Sequence, residues 1–66
     1  MRLQVQGEEV DVPEGSTLSE LLQKMDLLGQ RLAVEINHTV IPRSTHATHR
    51  LQAGDRVEIV RAIGGG

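Results

Sequence analysis

The sequence predicts an α+β domain in which a mixed sheet of four to five strands packs on one helix. Three observations carry this. Apolar and polar residues alternate with the two-residue period of half-buried strands at both ends, in 1–6 and 56–63. One segment, 18–25, has the three-to-four spacing of an apolar helix face. The chain has 66 residues, no cysteine and no aromatic residue, so it holds one small core built from Leu, Ile, Val, Met and Ala.

Each element follows in order. Met1, Leu3 and Val5 alternate with Arg2, Gln4 and Gln6 as a first strand. Gly7-Glu8 marks a tight turn, and Val10 and Val12 belong to a second strand returning antiparallel until Pro13 and Gly15 end it. Thr17-Leu18-Ser19-Glu20 is a capping box: the Thr17 side chain accepts the N–H three residues on, and Glu20 reaches back. Leu18, Leu21, Leu22 and Met25 then form the core-facing stripe, and Gly29 is the predicted stop. Leu32, Val34 and Ile36 read as a third strand, Asn37-His38 as a turn, and Thr39-Val40-Ile41 as a short fourth strand closed by Pro42. Residues 43–50 are polar and without period, a loop with one helical turn, and Leu51 anchors it. Ala53-Gly54-Asp55 is a turn. In the last strand Val57 and Ile59 point one way, and Glu58, Val60 and Ala62 the other.

This order places the first and last strands side by side and parallel in the middle of the sheet. The helix crosses one face and covers Leu3, Val5, Val34, Ile36, Val57 and Ile59. Such an arrangement is a β-grasp, or ubiquitin-like, roll. It assigns residues 1–63 to the domain and 64–66 to a flexible glycine tail.

Composition excludes some functions. The net charge is -2, with no basic stripe and no stacking rings, which argues against nucleic-acid binding. No apolar run approaches bilayer length, so no membrane partner is expected, and the N-terminus reads as a strand rather than a signal peptide. The absence of cysteine fits a cytoplasmic protein. No phosphate-cradling Gly-x-x-x-x-Gly-Lys loop, cysteine nucleophile or His–carboxylate pair is present, so the chain is expected to be a substrate and carrier, not an enzyme, with no cofactor of its own.

The tail is the most informative segment. Gly64-Gly65-Gly66 stand directly behind a strand with nothing after them. Glycine has no Cβ, so such a tail stiffens nothing but threads a narrow channel, carrying the α-carboxylate of Gly66 into another protein's active site.

The helix opening Ser16-Thr17-Leu18-Ser19-Glu20-Leu21-Leu22, the segment Val40-Ile41-Pro42-Arg43, and Gly54-Asp55-Arg56-Val57-Glu58-Ile59-Val60 running into Gly64-Gly65-Gly66 resemble the ubiquitin-like sulfur carriers. The resemblance spans essentially the whole chain and is closest to the ThiS family of thiamin-thiazole synthesis. One departure is His38, where such sequences often carry glycine. The resemblance implies that an E1-like adenylyltransferase of the ThiF type adenylates Gly66. Sulfur from a cysteine desulfurase or other donor then makes a thiocarboxylate there, and thiazole synthase of the ThiG type receives it. Gly65 and Gly64 thread into the partner sites, while Val60, Ala62 and Ile63 form the expected partner contact. The small subunit of molybdopterin synthase and a carrier for tRNA thiolation share this fold and tail. A ubiquitin-like modifier is the alternative from another class, although Lys24 is the only lysine on which it would build chains.

Two further groups are read as structural. His38, His46 and His49 are taken as solvent-facing loop residues, and no metal site is expected. Glu8, Glu9, Asp11 and Glu14 give an acidic hairpin edge that discourages edge-to-edge pairing.

Overall fold

The structure is a computed structural model and describes residues 1–61. Its elements are β1 (Arg2–Val5), β2 (Glu8–Asp11), α1 (Leu18–Lys24), β3 (Leu32–Ile36), β4 (Thr39–Val40), a 3-10 turn (Arg43–Thr45) and β5 (Arg56–Arg61). The sheet order is β2-β1-β5-β3-β4. The central β1–β5 pair is parallel, and the other pairs are antiparallel. This is the predicted β-grasp.

The hairpins join at two-residue turns. Val5 pairs with Glu8, so the first turn is Gln6-Gly7, one residue earlier than the sequence suggested. Both residues have positive φ, 52° and 80°, as a hairpin matched to strand twist requires. Glycine takes this at little cost, and Gln6 takes it against the preference of a residue with a long side chain. The second turn is Asn37-His38, with φ 52° and 68°. His38 therefore occupies a left-handed position that glycine would take at less cost. β4 is shorter than predicted, although the Ile41 N–H still reaches the Val34 carbonyl at 2.9 Å.

The helix begins as predicted. Thr17 Oγ1 accepts from the Glu20 N–H at 3.2 Å, and Glu20 Oε1 accepts from the Thr17 N–H at 2.8 Å. Bonds from Thr17, its backbone N–H first, hold the Glu20 carboxyl below its ordinary pKa. The loop satisfies the first-turn donors that the box leaves over: Leu18 N–H donates to the His49 carbonyl and Ser19 N–H to that of His46.

The helix stops before Gly29. Asp26 has φ 61°, its N–H reaches the Gln23 carbonyl, and the Leu27 N–H reaches that of Leu22. This is a Schellman closure with Asp in the usual glycine position, and Leu27 packs against the core beside it. Gly29, at φ 85°, belongs to the following turn, closed by Gln30 N–H to the Leu27 carbonyl.

The core joins Leu18, Leu21 and Leu22 of α1 to Leu3, Val5, Val34, Ile36, Val57 and Ile59 of the sheet, with Val12 and Leu51 at its margins. One loop residue corrects the sequence reading. His46 is 7% exposed, and its Nε2 lies 2.9 Å from the Ile41 carbonyl. It fills the space between loop, β4 end and helix instead of facing solvent. His49 is half-buried, and His38 is exposed as expected.

Candidate functional site

β5 is the element that carries the chain toward its predicted site, and its anchoring is asymmetric. On one side it pairs with β3 along its whole length, from Ile36 opposite Val57 to Leu32 opposite Arg61. On the other side β1 pairs only at Gln4–Arg56 and Val5–Val57 before turning away. Beyond that point the Gln6 carboxamide takes over. Its Nε2 donates to the Ile59 carbonyl at 2.7 Å, and its Oε1 accepts from the Ile59 N–H at 3.0 Å.

The start of β5 is held from both neighbouring turns. Asn37 Oδ1 accepts from the Arg56 N–H at 3.0 Å, and Asn37 Nδ2 donates to Asp55 Oδ1 at 3.0 Å. Asp55 Oδ2 accepts from the Gln52 N–H at 2.9 Å. Asp55 is buried, and these bonds occupy its carboxylate. Neither Gln6 nor this Asn37–Asp55 pair was singled out by the sequence. An Asn opening a two-residue turn and an Asp after a glycine are the signals present, and they show nothing of which turns meet in space.

Alternation along β5 separates two roles. Val57 and Ile59 are 1% and 9% exposed against the helix, while Val60 is 57% exposed on the open face, as predicted. Val60 lies opposite the exposed Ala33, and Val40 (62% exposed) stands on the same face, opposite Glu35. A single exposed valine is ordinary, but this one stands one residue before the last described residue of the strand. Ala62, Ile63, Gly64, Gly65 and Gly66 lie outside the described residues.

The other predicted groups sit apart from this end. Among the described residues, no group of three or more His, Cys, Asp or Glu could hold a metal ion. The acidic hairpin edge is exposed, and Arg2 offsets part of it with contacts of 3.3 Å to Glu9 and 3.7 Å to Asp11. Among the described residues, no helix is long and apolar enough to cross a membrane.

Comparison with known proteins agrees over the full chain. The ThiS family model matches residues 1–66. The sulfur carrier protein ThiS of Escherichia coli is 30% identical over 66 residues, covering 100% of both chains. A thiazole synthase of Paramagnetospirillum magneticum is 36% identical over the whole of this chain, which spans only 20% of that relative's length. The crystal structure of the thiamine biosynthesis protein (ThiS) from Geobacter metallireducens superposes with a TM-score of 0.86 at 30% identity, covering 100% of both chains.

Proposed function

The chain belongs to the ThiS family, and we propose that, as a sulfur carrier of thiamin biosynthesis, it carries its sulfur on the C-terminal carboxylate of Gly66. The observation behind this reading is a strand fixed in the sheet as far as Arg61 and continued in sequence by Ala62-Ile63-Gly64-Gly65-Gly66. A carboxylate is a poor electrophile, because its charge is delocalised and its leaving group would be oxide. Activation solves this. A Gly66 carboxylate oxygen attacks the α-phosphorus of ATP held by an E1-like adenylyltransferase, and pyrophosphate leaves. Sulfide then attacks the acyl carbon and expels AMP, leaving –COS⁻. Where a cysteine desulfurase supplies the sulfur as a persulfide, its terminal sulfur attacks and AMP leaves. A thiol then cleaves the resulting acyl disulfide, releasing –COS⁻ and carrying off the remaining sulfur as a disulfide.

The chain itself is the protein co-substrate. Its body docks through Val60, with Ala62 and Ile63, and Gly64 and Gly65 let the carboxylate pass into a site too narrow for side chains. Thiazole synthase is the acceptor of the sulfur. Two relatives named thiazole synthase that match the whole of this chain at 36% identity over 20% of their own length support that partnership. We place the chemistry in the cytoplasm, where ATP is at hand.

The test is the intact mass after incubation with the cognate adenylyltransferase, ATP and a sulfur source. Replacement of oxygen by sulfur at an activated acyl group adds about 16 Da. An unchanged mass under conditions where the adenylyltransferase turns over ATP would overturn the reading.

A further inference from the structure

Gln6 is an unusual residue for its position. It opens a two-residue hairpin turn at φ 52°, where Asn, Asp or Gly is preferred because a longer side chain crowds its own backbone. The matching position of the other hairpin is held by Asn37. Both carboxamides bond to the backbone of β5, one from each side. They differ in reach. Asn37 holds Arg56, where the neighbouring strand still pairs, whereas Gln6 extends to Ile59, past the last β1–β5 pair at Val57. An asparagine carboxamide at residue 6 would stop one methylene short of that contact.

We infer that Gln6 is a positioning residue for the carrier reaction. Its carboxamide stands in for the missing continuation of β1 and fixes the line of β5 at Ile59, next to Val60. Without it, the strand beyond Val57 is held from the β3 side alone. Ile59 immediately precedes Val60, the exposed residue by which the body docks, so a shift of the strand at Ile59 shifts that contact. Misplacement of a positioning contact by about 1 Å can cost on the order of 100-fold in rate. The unfavourable φ at Gln6 is accepted because only the longer carboxamide spans the gap. This inference rests on the sulfur-carrier reading above.

The experiment compares wild type with Gln6→Asn, which suits the turn better but falls short of Ile59, and with the isosteric Gln6→Glu, which keeps the acceptor and loses the donor. Three quantities are measured: the melting temperature, hydrogen exchange of the Ile59 amide, and the steady-state kinetics of adenylation with the carrier as varied substrate. Gln6→Asn gains a better turn residue and loses two hydrogen bonds, so it is expected to melt within a few degrees of wild type, to lose Ile59 amide protection, and to lower kcat/KM by about tenfold or more well below its melting temperature. Gln6→Glu falls between the two. A purely structural role would leave kcat/KM at the wild-type value while the chain is folded. Wild-type kcat/KM in a Gln6→Asn variant, whether the Ile59 amide is exposed or still protected, overturns the inference and leaves the carrier reading standing. An inert wild type overturns the carrier reading, and the inference with it.

Discussion

The helix-covered face of the sheet and its open face are made from alternate residues of the same strands, yet different forces shape them. On the covered face Leu3, Val5, Val34, Ile36, Val57 and Ile59 meet the leucines of α1 and leave water. On the open face Glu35 stands opposite Glu58 and Ala33 opposite Val60, with nothing described above them. Like charges facing each other cost a little, and apolar side chains in water gain nothing. Stability therefore comes from one face, and the other is free to be shaped by partners. The two meet in β5, where a step of one residue crosses from fold to recognition.

The hardest blow to this division is a cavity on the covered side. Leu21 is fully enclosed, so Leu21→Ala should destabilise the domain by about 2–4 kcal/mol. So small a domain has little reserve, and chemical denaturation should show a strongly lowered midpoint or an unfolded chain. An unshifted midpoint would break the claim that this face holds the fold.

A smaller effect is expected where the covered side meets the turns. Asp55→Ala removes the acceptor for the Gln52 N–H and for Asn37 Nδ2, and should cost about 1–3 kcal/mol. The NMR signature should be local, at the Gln52 amide and the Asn37 side chain. A loss confined to the far hairpin would contradict the assignment.

The smallest effect on stability, and the sharpest on function, belongs to the open face. Val60→Asp should change stability by less than about 1 kcal/mol. Binding to the adenylyltransferase should weaken by about tenfold or more if Val60 is the grip. Unfolding of this variant would invert the face assignment of β5, and unchanged binding would move the contact elsewhere.

These two faces were readable in the sequence because the strand period is two and the apolar residues keep to it. Val57, Ile59 and Val60 announce their sides without any knowledge of the fold. The capping box at Thr17 and Glu20 was equally legible, since it is written within four residues. What escaped is what depends on distance or on substitution within a motif. Asp26 closes the helix in a position where glycine is the usual signal, so Gly29 drew the prediction instead. His46 lies in a polar segment with no period, and its burial follows only from the packing of that loop on the helix start. Asn37 and Asp55 are 18 residues apart, and Gln6 and Ile59 are 53 apart. Their contacts require knowing that both hairpin turns flank β5. Ala62 and Ile63 of the predicted partner contact and the predicted tail 64–66 lie outside the described residues, so their part of the site rests on sequence and family.

In the proposed function, β5 presents the carboxylate of Gly66 for activation. ATP–pyrophosphate exchange with the cognate adenylyltransferase tests it most directly, comparing the chain with a form lacking Gly66. The deletion touches no core residue, so both should melt at the same temperature, while the reach of the extended tail shortens by about 3.3–3.6 Å. Exchange is expected with the intact chain and none with the shortened one. Normal exchange by the shortened chain would contradict it.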